Sequence, residues 1–204
     1  MKYDTIIKHY ENCLEKHGDT ALGVDWHDKE DVVKKRYQIM LDIIPNNETK
    51  TLLDFGCGLG HLLEYIKENN LTHIEYNGLD ISKKFIDVVS KKFNDTKFYH
   101  LDILGDNSIP QFDYIIMNGI FTEKRELSFE EMFEYFQKLL SVVFKKCNSG
   151  VAFNVMSKEV DWEREDLFHL PMNLLAGFLT KNLSRNFIIR NDYGLYEYTV
   201  YLYK

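Results

Sequence analysis

The alternation of apolar and polar positions changes period near residue 50. Before it, Ile6, Ile7, Tyr10 and Leu14 recur at three- and four-residue spacing, and so do Val32, Val33, Arg36/Tyr37, Met40, Leu41 and Ile44. That spacing predicts helices within residues 1–45. Beyond residue 50, short apolar runs alternate with helical periods. Strands are predicted over 51–55, 75–79, 97–101, 114–117, 151–155, 187–190 and 196–203. Helices are predicted over 61–68, 83–93, 129–146 and 171–183, with Ser82 and Ser128 as caps and Glu131 completing a capping box after Ser128. The run Tyr114-Ile115-Ile116-Met117 is wholly apolar, as in a central parallel strand buried on both faces. Alternating strand and helix implies a doubly wound α/β sheet of seven mostly parallel strands. The short turn Asn191-Asp192-Tyr193-Gly194 suits an antiparallel last strand.

Composition narrows the class. At 204 residues, 45% hydrophobic and 28% charged, the chain is expected to form one globular domain, with a helical cap over 1–45 and a core over 46–204. The three cysteines, Cys13, Cys57 and Cys147, show no CxxC spacing, so neither a disulfide framework nor a metal site is expected. Apolar runs are short and no secretory h-region opens the chain, so a cytoplasmic protein without a membrane span is expected. A net charge of −7 disfavours a nucleic-acid partner and favours a small molecule. Oligomeric state is left open.

The sharpest motif is Asp54-Phe55-Gly56-Cys57-Gly58-Leu59-Gly60-His61, between the first core strand and its helix. Glycines there permit a tight turn and close approach to a ligand. A GxGxxG dinucleotide fingerprint would need glycine at position 61, which is His61. Asp54 beside the loop would repel a pyrophosphate but suits a cationic amino group. Asp80-Ile81-Ser82 closes the second strand, where a carboxylate can accept from both hydroxyls of a ribose. Asp102-Ile103 follows the third strand, where a carboxylate can accept from an adenine amine with the isoleucine packed on the ring.

These three sites, with Phe112-Asp113-Tyr114-Ile115-Ile116-Met117-Asn118 at the fourth strand, resemble class I S-adenosylmethionine-dependent methyltransferases over residues 30–204. The resemblance implies a Rossmann-like sheet with an antiparallel last strand. It implies S-adenosylmethionine as cofactor and S-adenosylhomocysteine as product. Cofactor contacts are then expected from Asp54, Gly56, Cys57, Gly58, Gly60, His61, Asp80, Ile81, Asp102, Ile103, Asn118 and Gly119, and from Arg36 to the methionine carboxylate. Members that methylate base amines carry a proline-containing tetrad after the fourth strand. Here that stretch reads Asn118-Gly119-Ile120-Phe121, with no proline, which counts against DNA, RNA or glutamine N-methylation. A narrower resemblance rests on Glu15–Asp19 with Gly23–Trp26, on Asn118–Leu127 and on Asp161–Pro171. It points to enzymes of bacterial capsule and surface-polysaccharide loci, including O-methyl phosphoramidate decoration of Campylobacter-type capsules.

The expected reaction is in-line methyl transfer to an oxygen of a small anionic or sugar-linked metabolite. A sugar hydroxyl would need a base, for which His17, His27, His169 or a carboxylate are candidates. An ionised oxygen would need cations, for which Lys124, Arg125 and Arg164 are candidates. Trp162, Arg164 and His169 are expected to share one pocket with Asp25-Trp26-His27, although Trp162 taken alone reads as core. The C-terminal tyrosines read as edge-strand aromatics. A nicotinamide-dependent oxidoreductase and a non-catalytic cofactor-binding subunit are the competing readings.

Overall fold

The computed structural model describes residues 3–26 and 29–204. Within them, α1 (Asp4–His17), a one-turn 3-10 helix (Ala21–Val24) and α2 (Glu30–Leu41) precede β1 (Lys50–Phe55) and α3 (His61–Glu68). There follow β2 (Ile74–Asp80), α4 (Lys83–Lys92), β3 (Lys97–His100), β4 (Phe112–Phe121), α5 (Phe129–Phe144) and β5 (Cys147–Ser157). The chain closes with β6 (His169–Leu170), α6 (Met172–Asn182), β7 (Phe187–Arg190) and β8 (Glu197–Tyr203). The sheet runs β3-β2-β1-β4-β5-β8-β7, with β6 pairing β5 off that path. Pairings are parallel except where β8 lies antiparallel to both β5 and β7.

The sheet is thus mostly parallel with an antiparallel last strand, as expected, but it has an eighth strand. β6 is two residues long, too short for any periodic signal to reveal. The C-terminal tyrosines also need correcting. β8 is not the edge strand, because β7 lies outside it, and Tyr198 and Tyr201 are buried.

Alternation in the central strands sorts side chains onto two faces. On β4, Ile115 and Met117 join one buried cluster with Met132, Phe136 and Leu140 of α5 and Leu175 of α6. Tyr114 and Ile116 join the other, with Tyr37, Met40 and Leu41 of α2 and Leu62 of α3. So α2 packs directly on one face of the sheet. α1 contains no fully buried residue within the helix. Polar tethers hold it instead, through Tyr3 Oη to Asp102, Ser82 Oγ to Glu11, and Lys84 to Glu11 and Glu15.

The capping box of α5 forms, with the Ser128 side chain accepting from Glu131 N–H and the Glu131 carboxylate from Ser128 N–H. Ser82 occupies the N-cap position of α4 without capping it, because its hydroxyl donates to Glu11 at 2.6 Å.

Candidate functional site

The carboxyl ends of β1, β2, β3 and β4 open into one cleft, where ligands bind in doubly wound sheets. About 1220 Å³ of empty space lies there, including the solvent at its mouth. Asp54, Gly56, Cys57, Gly58, His61, Asp80, Ile81, Asp102, Ile103, Asn118 and Gly119 all line it. Gly60 does not. A side chain at Gly60 would meet Val89 and Phe93 below 3.0 Å, so that position is glycine for helix-to-helix packing and its positive φ. Gly56 combines both reasons: its φ is +78°, and a Cβ would fall 2.2 Å from Ile120 Cδ1. The loop is pinned to its neighbour strand because Gly56 N–H and Cys57 N–H both donate to the Leu79 carbonyl.

Three carboxylates line this cleft in different states. Asp54 is 4% exposed and accepts from Tyr76 Oη at 2.7 Å. Burial raises its carboxyl to about 7, against a smaller downward pull from the Tyr76 bond and an upward push from Asp80. Asp80 accepts Gly58 N–H at 3.0 Å on one oxygen and Ser82 N–H at 2.8 Å on the other. Burial outweighs those two bonds and holds it at about 6. Asp102 accepts from Tyr3 Oη at 2.5 Å and from Leu104 N–H at 3.0 Å.

At the tip of β4 the register against β5 shifts between Met117 and Phe121. In that gap Gly119 N–H donates to the buried Asn154 side chain at 2.8 Å. Asn118 Oδ1 is buried with no hydrogen-bond partner among the described residues. An orphaned acceptor costs about 1–3 kcal/mol unless a ligand donor reaches it. Three carboxylates and one unpaired amide oxygen form an acceptor-rich wall, suited to a ligand carrying an ammonium, a diol and an exocyclic amine. Trp26 fronts Gly119, its Nε1 3.8 Å from where a Cβ would stand there. Tyr3, Ile6, Ile7 and Tyr10 of the N-terminal segment complete the wall. Apart from the Ile6/Ile7/Tyr10 periodicity, nothing in the sequence marked them as lining residues.

Arg36 is not in this cleft. It lines a second cavity with Met156, Trp162, Arg164, His169 and Tyr196, and donates to the buried Glu197 at 2.9 Å. Its guanidinium lies 5.5 Å over the Trp26 ring, so Trp26 stands between the two cavities. The segments expected to close one pocket therefore face different cavities. Nor is Trp162 core: it is 67% exposed and packs on the exposed Tyr196, ring centres 5.9 Å apart.

The other candidates are placed as follows. His17 sits in the last turn of α1 and lines neither cavity. His169 lies against the second cavity with both ring nitrogens engaged, Nδ1 by the Ser157 carbonyl at 2.6 Å and Nε2 by Arg164 N–H at 3.3 Å. Arg125 and Arg164 converge on Asp166, and Arg125 also holds Glu123. Lys124 Nζ donates to the Leu127 carbonyl at 3.3 Å. Lys124 thus binds its own loop and Arg125 the carboxylates of Glu123 and Asp166, and neither lines a cavity. His27 lies outside the described residues.

Residues 53–142 match the family of methyltransferase domains. The match begins at β1 and takes in the glycine loop, all three acids and the β4 tip. The chain is an S-adenosylmethionine-dependent methyltransferase. S-adenosylmethionine is the cofactor of this methyltransferase. Its relatives include Rv1506c of Mycobacterium tuberculosis, which carries a provisional methyltransferase name and is 25% identical over 154 residues, 74% of this chain and 91% of that one. The fold is shared with magnesium protoporphyrin IX methyltransferase of Synechocystis, solved with S-adenosylhomocysteine bound. There the TM-score is 0.67 at 14% identity, covering 98% of this chain and 99% of that one. It is shared too with the 1,6-didemethyltoxoflavin-N1-methyltransferase of Burkholderia thailandensis. That match has a TM-score of 0.67 at 13% identity, covering 100% and 90%. Among the described residues of this methyltransferase, no helix is long and apolar enough to cross a membrane.

Proposed function

We propose that the enzyme transfers the methyl group to an ionised oxygen of a small phosphorus-containing metabolite, a phosphoramidate or a nucleotide-linked sugar, with residues 1–45 as a cap over a core of 46–204. When bound, S-adenosylmethionine supplies an electrophilic methyl group on a sulfonium. Asp54 would accept from its ammonium group. Asp80, whose oxygens each keep a lone pair beyond their backbone bonds, would accept from the ribose diol. Asp102 and Ile103 would take the adenine, and the turn at Asn118–Gly119 would face the reacting end. Trp26 shields that end from water, and alignment in such a pocket can be worth about 7–11 kcal/mol.

One observation carries the choice of acceptor. The second cavity, one indole away from the β4 tip, is lined by Arg36 and Arg164, which are ion-paired with Glu197 and Asp166, and rimmed by the Trp162–Tyr196 pair. Neither His17 nor His169 offers that space a ring nitrogen free to take a proton. Two arginines beside a fully bonded histidine suit an oxygen that is already ionised, which needs cations to hold it and no base. An exposed aromatic pair suits a sugar face or a nucleobase. This reading also accommodates the resemblance to capsule-locus enzymes.

The test is transfer of labelled methyl from S-adenosylmethionine to a panel of phosphoramidates, nucleotide-linked sugars, free sugars and amines. Product is expected from the first two classes. Trp162→Ala should raise the acceptor KM severalfold and leave cofactor affinity unchanged. Labelling of amines alone, or a Trp162→Ala enzyme with unaltered KM, would refute the assignment.

A further inference from the structure

Three donor atoms of different chemistry converge where α1 meets the turn that follows it. His9 and Cys13 are four residues apart on α1, so their side chains share a face. Asp25 ends the 3-10 turn in the left-handed region, φ +58°, with its carboxylate turned toward that face. His9 Nε2 lies 2.7 Å from Asp25 Oδ2 and 3.8 Å from Cys13 Sγ. One ligand atom from each residue falls within 4.8 Å of the other two, and all three residues are half-buried. The same ring nitrogen faces both neighbours, yet an imidazole nitrogen carries at most one proton to share. A hydrogen bond to Asp25 therefore accounts for one of the two approaches and leaves the thiol unexplained.

We propose that His9, Cys13 and Asp25 form a binding site for a divalent transition metal of the zinc class. On a tetrahedral ion with the usual zinc bond lengths, nitrogen and oxygen ligands stand about 3.4 Å apart and nitrogen and sulfur about 3.6 Å. The sulfur is already near that separation, and the Asp25 oxygen reaches it by receding about 0.7 Å, a side-chain rotation. Thiolate and carboxylate together balance the charge of a divalent ion, with a neutral imidazole as third ligand. A site combining sulfur and nitrogen selects zinc or cobalt over magnesium or calcium. Three protein ligands leave the fourth position to water.

The placement has a consequence for the cap. α1 contributes Ile6, Ile7 and Tyr10 to the cofactor cleft, and the turn contributes Val24 and Trp26. An ion held by His9, Cys13 and Asp25 joins these two parts of the wall directly. The site rests on this geometry alone and does not depend on the acceptor proposed above. It revises the expectation of no metal, which came from the absence of CxxC spacing. The two α1 ligands use helical spacing, and the third arrives through a turn.

Cobalt(II) is the probe, added to the full chain after treatment with a chelator. One cobalt per chain is expected, with a thiolate-to-metal charge-transfer band in the near ultraviolet that zinc abolishes on displacement. Cys13→Ser should lose the band, and His9→Ala should bind zinc at least tenfold more weakly. Cys147→Ser should keep the band. All three variants are first matched to the parent chain by circular dichroism. No band in the parent chain, or a band that survives Cys13→Ser unchanged, overturns the proposal.

Discussion

The buried carboxyl of Asp54 allows a quantitative expectation for how cofactor affinity depends on pH. In the free enzyme it titrates near 7, chiefly because burial penalises its charge. A ligand ammonium drawn to it favours the carboxylate, so binding lowers that pKa and releases a proton. The affinity should therefore weaken by a factor of 1 + 10^(7 − pH) as Asp54 protonates. The ligand's own α-amino group shares its carbon with a free carboxylate and keeps its charge to well above pH 8, so Asp54 alone shapes the profile below that. Relative to pH 7.4, the dissociation constant should be about eightfold higher at pH 6 and about seventyfold higher at pH 5, with Asp80 adding to the loss below pH 6. Calorimetry with S-adenosylhomocysteine in buffers of different ionisation enthalpy measures Kd and the proton count together. Close to one proton should leave per ligand bound at pH 6. In Asp54→Asn, which keeps an oxygen for the Tyr76 hydroxyl, the release should vanish and the acid limb should flatten. A Kd that is flat between pH 6 and 7.4, or proton release that persists in Asp54→Asn, would show that this carboxyl does not meet the ammonium.

Asp80→Ala should weaken cofactor binding and also destabilise the fold by about 1–3 kcal/mol for each of the Gly58 and Ser82 amides left without an acceptor, read as a fall in Tm. Arg36→Ala leaves the Glu197 carboxylate, 3% exposed, without its guanidinium and should cost about 3–5 kcal/mol in a urea titration. Adding Glu197→Gln should recover part of that loss, and cofactor affinity should change little. Tyr3→Phe removes the hydroxyl bound to Asp102, so stability should fall by about 1.5–3 kcal/mol while cofactor Kd drops severalfold, measured by calorimetry. Asp54 and Asp80 both titrate above the usual 3.8 when folded, so the folded state binds more protons than the unfolded one between about pH 4 and 7. Their contribution to stability therefore declines as pH rises through that window, and Tm of the ligand-free protein should decline with it less steeply in Asp54→Asn.

What the sequence made legible is what local pattern determines. A parallel strand buried on both faces must be apolar in consecutive positions, and Tyr114–Met117 announced β4 for that reason. A capping box needs only Ser128 and Glu131, three residues apart. The cleft was legible because strand ends in a doubly wound sheet converge, so Asp54, Asp80 and Asp102 could be placed on one rim from their positions alone. Where a side chain's partner is distant in sequence, local pattern carried no information. Arg36 looked available for a carboxylate ligand, but 161 residues later Glu197 takes its Nε. His169 looked like a base, but the Ser157 carbonyl and the Arg164 amide hold its two nitrogens. Lys124 and Arg125 looked like substrate cations, yet Glu123 and Asp166 hold Arg125 and Lys124 turns back on its own loop, while Arg164, itself paired with Asp166, lines the second cavity. The same blindness hid the converging trio of His9, Cys13 and Asp25, because the eye counts cysteines by loop spacing and not by helical turns. A charged residue in this chain is better judged by whether the fold supplies its counter-charge than by its neighbours in sequence. On that criterion the buried, incompletely satisfied groups are the ones with chemistry left to do. Burial raises Asp54 to about 7 and Asn118 Oδ1 has no donor among the described residues, and both line the cleft at the strand ends.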